Sequence, residues 1–263
     1  MPQSLITITS AEIIDLRVPT SDQMLGSDPF HKAPDYSSAV LHLETDSDLR
    51  GVSVVFTIGA GTDWMCHGIR DLCQLVVGTR LDEFTAAPLQ LYRRLIDHHQ
   101  LRWLHDGVFR MAAGAVLNAM WDLWAKSLNQ PLWKLLVDLE PEFVADCIDW
   151  RNLGDALTRE EAIALLQARR AEVPQREAAM ATRGPKAYCT AGWLGLSDEE
   201  ILATIRKLQA EGFDAFKLKV GQDSALDVAR IRFMRNSIGP DSQLMVDANQ
   251  YWGLAEAKQH IEQ

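Results

Sequence analysis

Residues 215–250 read AFKLKVGQDSALDVARIRFMRNSIGPDSQLMVDANQ, and this stretch decides the fold. Residues 215–220 (AFKLKV) are a short run of apolar residues and lysines bounded by Gly212 and Gly221, which reads as a strand. Residues 223–237 read as a helix, and Gly239-Pro240 ends it. Residues 244–248 (LMVDA) form a second strand. A strand, a helix and a strand joined by short loops make a parallel α/β unit.

The same alternation extends in both directions. Residue Ser197 is a good helix N-cap with Glu200 three positions later, a capping box, and that helix is expected to run to Ala210, where Gly212 stops it. Residues 187–190 are a short strand candidate ahead of AGWLG (191–195), and another helix starts at Leu254. From residue 187 the order is therefore β-α-β-α-β-α.

Further toward the N-terminus the pattern changes. Residues 6–18 read as a strand, with Ile6, Ile8, Ile13 and Leu16 apolar, and a polar loop rich in Gly, Ser, Asp and Pro follows. Residues 39–45 (AVLHLET) alternate as a half-buried strand does, Asp46-Ser47-Asp48 makes a turn, and 51–58 returns as a partner strand. Helices are expected at 63–77 with Asp63 as cap, at 88–97, at 108–128 and at 158–172. In the third, Val108, Ala112, Ala115, Ala119 and Leu123 form an apolar stripe, widened by Met111, Val116, Met120 and Trp124. The Ala/Gly run 112–115 implies a close helix–helix approach. A strand ribbon followed by helices is an α+β domain. The expected organisation is thus an α+β domain over 1–140 and an α/β domain over 141–263.

The 263 residues carry a net charge of −10 and are 47% hydrophobic. An acidic surface argues against a nucleic-acid partner, yet it leaves room for a small anionic substrate at a locally positive site. There is no apolar run of about 18 residues and no secretory signal pattern, so a membrane span is not expected and a cytoplasmic location is. Cys66, Cys73, Cys147 and Cys189 form no metal-type spacing and read as free thiols, with Cys66 and Cys73 on one helix face.

The chemistry concentrates at two strand ends. Lys217 and Lys219 flank Leu218, so period two puts both amines on one side, roughly 7 Å apart at the backbone. Two ammonium groups that close should lower each other's pKa, which suits one of them to act as a general base. Charged residues are unusual on a central parallel strand, and the C-terminal strand ends are where α/β barrels place catalytic groups. Asp247 follows Lys219 by one βα repeat and reaches the same rim, where a carboxylate beside an amine can bind a hard divalent cation.

K-x-K at 217–219 and D-A-N-Q at 247–250 resemble the mandelate racemase/muconate lactonizing branch of the enolase superfamily, whose members use a Lys or His base with Mg²⁺. The stretches GSD…PDYS (26–37), VFTIG (55–59), LRWL (101–104), GAVLNAMWDLWAK (114–126), DALT (155–158), AGWLG (191–195) and KLKVG (217–221) are similar to the L-fuconate dehydratase family.

This resemblance implies an enolase-type α+β capping domain, then a TIM-type modified β/α barrel that stops after about three of eight strands. It implies a carbon–oxygen lyase that dehydrates a small acid sugar, L-fuconate first among candidates, to the 2-keto-3-deoxy acid. Dehydration or epimerisation of another acid sugar, and a binding role without catalysis, are the alternatives. By similarity Lys219 is the proton-abstracting base and Lys217 its neighbour near the substrate carboxylate. Asp247 is the first Mg²⁺ ligand and Asn249 a substrate contact, and Gly26, Ser27, Asp28 and Tyr36 close over the sugar. His31 and Lys32 add more charge to the 26–37 loop than the resemblance leads one to expect. The other metal carboxylates and a histidine acid/base are expected beyond Gln263, and His260 is no substitute for the latter. The chain alone is expected to be inactive and prone to self-association, and relatives with a full barrel are expected to form homo-oligomers.

Overall fold

A computed structural model describes residues 6–104 and 106–262. It divides into two compact units. One comprises the chain to Arg17 together with Ser37–Thr182, and the other comprises Val18–Tyr36 together with the chain from Arg183 onward.

The first unit opens with a three-stranded antiparallel sheet, β1 (Ile8–Leu16), β2 (Ser37–Thr45) and β3 (Gly51–Thr57), in the order β1-β2-β3. Ala39, Leu41 and Leu43 on the central strand are fully buried and alternate with half-exposed residues, as one buried sheet face requires. That face packs on helices α1 (Thr62–Cys73), α2 (Leu81–Ala86), α3 (Pro88–Ile96) and α4 (Val108–Ser127). A β-carbon at Gly51 would lie 2.2 Å from the Ala119 carbonyl oxygen, so only glycine lets β3 approach α4 this closely. Asp122 on α4 accepts the Val52 N–H at 2.7 Å. The expected helix–helix approach occurs where Gly68 of α1 faces the Ala112 methyl, while a β-carbon at Gly114 would meet open space among the described residues.

Several details depart from the expected pattern. Helix α1 starts one residue before Asp63, with Gly61 at its cap in the left-handed region, and it ends at Cys73 rather than 77. Val108 and Met111 are exposed, because the buried face of α4 is carried by Phe109, Ala112, Ala115, Val116, Ala119, Met120 and Leu123. Helices α5 (Leu132–Asp138), α6 (Pro141–Asp146) and α8 (Val173–Arg183) were not foreseen, and α7 (Arg159–Arg169) carries a Thr158–Glu161 capping box. All four cysteines are free, and Cys66 and Cys73 are both buried on α1, where burial pushes the Cys73 thiol up to about 12.

The second unit holds a parallel sheet of β4 (Cys189–Gly192), β5 (Ala215–Lys219) and β6 (Gln243–Asp247), with α9 (Asp198–Ala210), α10 (Ser224–Ile238) and α11 (Leu254–Ile261) between and after the strands. The Ser197–Glu200 capping box forms as expected, and Asp223 caps α10 by accepting from the Leu226 N–H. Ala191, Ile201, Ile205, Phe216, Leu218, Val220, Met234 and Ile238 make its core. The chain therefore has the capping fold followed by part of an α/β barrel.

No helix among the described residues is long and apolar enough to cross a membrane.

Candidate active site at the strand ends

Lys219 and Asp247 are directly paired in the β5–β6 register, at the C-terminal ends of both strands. The Lys219 amine donates to Asp247 Oδ2 at 2.7 Å and to Asn249 Oδ1 at 2.7 Å, and only 5% of the residue is exposed. Asn249 adopts φ +50°, a left-handed conformation that asparagine tolerates better than most residues. Its N–H folds back onto Asp247 Oδ1 at 2.8 Å. The Lys217 amine lies 3.2 Å from the same Asp247 Oδ2 and donates to the Tyr188 hydroxyl at 3.0 Å.

The two lysines do share one side of β5, but the carboxylate between them changes the electrostatics. Burial disfavours the Lys217 charge, yet its bonds to Tyr188 and Asp247 outweigh that and hold its pKa above the ordinary lysine value. The expected lowering by mutual repulsion is therefore reversed at Lys217. Burial also disfavours the Asp247 charge, but Lys219, the Asn249 N–H and Lys217 together bring its pKa down to about 2.

Aromatic rings enclose these groups. The Trp193 ring centroid lies 5.6 Å from the Lys219 amine, and Tyr36 meets Trp193 edge-on at 6.2 Å. Burial raises the Tyr36 pKa, Asp28 and Asp247 add to the rise, and Lys217 opposes it. The Tyr36 phenol thus lies within the field of both strand-end groups and Asp28.

The polar loop Val18–Tyr36 belongs to the same unit, and its expected residues come together there. Its base is closed by Tyr36 N–H to Thr20 Oγ1 at 2.8 Å and by Ser21 Oγ to Asp35 at 2.6 Å. Gly26 has φ +88°, and a β-carbon there would lie 2.5 Å from Tyr36 Cε1, so the site requires glycine on both counts. Ser27 Oγ accepts from the Gly195 N–H at 3.0 Å, and the Ser27 carbonyl accepts from Leu194 at 3.3 Å, which ties the loop to the end of β4. Asp28 is buried and accepts from the N–H groups of Phe30 and His31, and its Oδ2 lies 3.1 Å from His31 Nδ1. Burial raises its pKa, but those bonds prevail and the net direction is down. The His31 ring that looked out of place is thus bonded inside the loop.

A cavity of about 310 Å³ opens beside this loop, lined among others by Ser27, Asp28, Lys32, Gln222 and Tyr251. Lys217, Lys219 and Asp247 are not part of its wall, so cavity and ion cluster are neighbouring features rather than one pocket. Tyr188 and Trp193 beside the two lysines, and Gln222 on the cavity wall, are residues that local spacing did not single out.

For a metal, Asp247 offers one carboxylate whose oxygens are already engaged by two lysines and one backbone N–H. An octahedral hard cation needs more oxygen ligands than this. Among the described residues, a group of three metal-type side chains occurs only at Glu12, His42 and Glu44 in the first unit, where Arg50 reaches Glu44 at 3.3 Å.

Two family models match the chain. "Mandelate racemase / muconate lactonizing enzyme, N-terminal domain" covers residues 13–137, and "Enolase C-terminal domain-like" covers 200–263. The mitochondrial enolase superfamily member 1 of Xenopus laevis is 44% identical over 95% of this chain and 57% of its own length. The L-galactonate dehydratase of Hypocrea jecorina is 41% identical over 99% of this chain and 59% of its own. The crystal structure of human mitochondrial enolase superfamily member 1 matches with TM-score 0.93 and 38% identity, over 99% of this chain and 60% of that one. An L-talarate dehydratase from Polaromonas sp., solved with Mg and L-glucarate, shares the fold with TM-score 0.63 and 22% identity, over 98% and 56%. The chain spans about three-fifths of the length of the curated relatives it matches.

Proposed function

The chain belongs to the mandelate racemase/muconate lactonizing branch of the enolase superfamily, and on that premise we propose that the whole protein is a Mg²⁺-dependent acid-sugar dehydratase. The observation that carries the reading is the Lys219–Asp247 pair at adjacent strand ends, 2.7 Å apart and enclosed by Trp193 and Lys217.

In this reading Lys219 takes the proton α to the substrate carboxylate. Lys217, kept cationic by Tyr188 and Asp247, binds that carboxylate. Asn249 contacts the substrate, and its left-handed turn keeps its amide next to the Lys219 amine. Trp193 and Tyr36 exclude water from the base, and the fastened Gly26-Ser27-Asp28 turn faces the polyol. Asp247 is one Mg²⁺ ligand, and the remaining ligands and the acid/base histidine fall in the further sequence that the longer relatives contain. Bound Mg²⁺ would supply positive charge against the oxygen that turns negative as the proton leaves. A cap/barrel division near 140/141, a small anionic substrate without nucleic-acid or membrane partners, a cytoplasmic location and homo-oligomeric assembly belong to the same proposal.

L-fuconate is one candidate substrate. L-galactonate is the other, favoured by the 41% identity to an L-galactonate dehydratase. The two differ by one terminal hydroxyl, so both fit the same base and the same α-proton. The test is a panel of acid sugars with Mg²⁺, read by 2-keto-3-deoxy acid formation, on the protein at full encoded length and on the 263-residue chain. Turnover of either acid by the full-length form supports the reading, with none expected from the chain alone. A folded full-length protein that turns over no acid sugar overturns it.

A further inference from the structure

Two polar residues one turn apart on α10 are unusually placed. Asp227 is only 4% exposed, and its Oδ2 accepts from the Gly221 N–H at 2.8 Å. Its Oδ1 is buried with no hydrogen-bond partner among the described residues. Gly221 follows Lys219 by two residues and has φ +108°, so the backbone leaves β5 through a left-handed turn that Asp227 holds from beneath. Three residues further along α10, Arg230 Nη2 donates to the Trp193 carbonyl at 3.1 Å and to the Gly192 carbonyl at 3.4 Å, and its Nε is buried without a partner among the described residues.

An unpaired buried polar atom is costly, so plain stability does not favour this pair over apolar residues. The two side chains grip the backbone at the exits of two adjacent strands. One exit carries Lys219 and the other carries Trp193, the ring beside its amine. We infer that Asp227 and Arg230 are positioning residues that set the Lys219 amine against Asp247 and Trp193 by clamping the ends of β5 and β4 from α10. The inference rests on Lys219 being the base, and neither residue touches the substrate.

Small displacements of a reacting group are costly, about 100-fold for 1 Å. In the full-length protein, Asp227→Ala is expected to lower kcat by about 10- to 100-fold while KM stays within about threefold. Asp227→Asn keeps an acceptor for the Gly221 N–H and should recover most of that loss. Arg230→Met should behave like Asp227→Ala and carries the kinetic test if the latter fails to fold. Amide exchange at Gly221, followed in the full-length protein, should be fast in Asp227→Ala and slow in Asp227→Asn. Equal losses in the Ala and Asn variants, parallel changes in kcat and KM, or unchanged exchange at Gly221 would overturn the clamp. If the wild-type full-length protein has no turnover, the functional reading fails, and the clamp is then decided by the exchange data alone.

Discussion

Strands β2 and β5 are both central in their sheets, yet they solve burial differently. Strand β2 buries Ala39, Leu41 and Leu43 on one face and leaves the other half-exposed, a pattern that serves packing alone. Strand β5 buries Ala215, Phe216 and Leu218 and then ends in Lys219, a polar side chain with 5% exposure. A buried amine is tolerated there because Asp247 and Asn249 accept its hydrogen bonds at 2.7 Å each. The difference separates a strand built for packing from one that ends in polar groups: the strand that breaks its own pattern is the one that carries the candidate site.

The largest effect that sharpens this contrast is expected from Lys219→Met. Activity of the full-length protein should fall by a factor on the order of 10³ or more, because general-base catalysis and the shape of the site are lost together. Stability in the same variant should fall by less than a fully buried broken pair would cost, since Asp247 is 30% exposed and keeps Lys217 and the Asn249 N–H as partners; a thermal melt beside the assay separates the two. The mirror experiment is Leu41→Ala on β2, which should destabilise by about 2–5 kcal/mol through the cavity it leaves, measured by urea unfolding. A Leu41→Ala protein as stable as wild type would break the comparison from the packing side.

A smaller effect is expected from acid. The Arg151 hydrogen bond holds the Asp149 carboxyl down at about 2, although burial works in the opposite direction. A depressed carboxylate stabilises the fold above its unfolded pKa of about 3.9, and that contribution is lost as pH falls toward 2. Asp149→Asn should therefore lose stability at neutral pH and show a shallower decline between about pH 4 and 2, followed by circular dichroism. The smallest effect is expected at the α9 cap, where Ser197→Ala should cost about 1 kcal/mol.

What the sequence disclosed, and what it hid, follows the range of the interactions. The α9 capping box, the α10 stop at Gly239 and the strand pair at 215–219 and 243–247 depend on neighbours a few residues apart, and they were legible. The family segments also gave the fold class of both parts. Short helices such as α5 and α6 were not legible, because six or seven residues give too little periodicity. Helical spacing places Val108 and Met111 on the apolar stripe of α4, but it does not say which turns a neighbour covers, and both are exposed. Spacing two shows the repulsion between Lys217 and Lys219 but not Asp247, 30 residues away, whose carboxylate lies beside both amines and turns the Lys217 shift upward. The bond from Gly195 to Ser27 spans 168 residues, and no local pattern announces it. Asp227 and Arg230 look like ordinary charged helix residues until the strand exits they hold are known.

The central claim is that Lys219, paired with Asp247, is the base. It is tested most directly by single-turnover dehydration of L-fuconate and L-galactonate with Mg²⁺, in the full-length protein and its Lys219→Ala variant. A folded variant that is at least about 10³-fold slower is the predicted result. A folded variant within about tenfold of wild type would contradict the claim and move the proton transfer to another group.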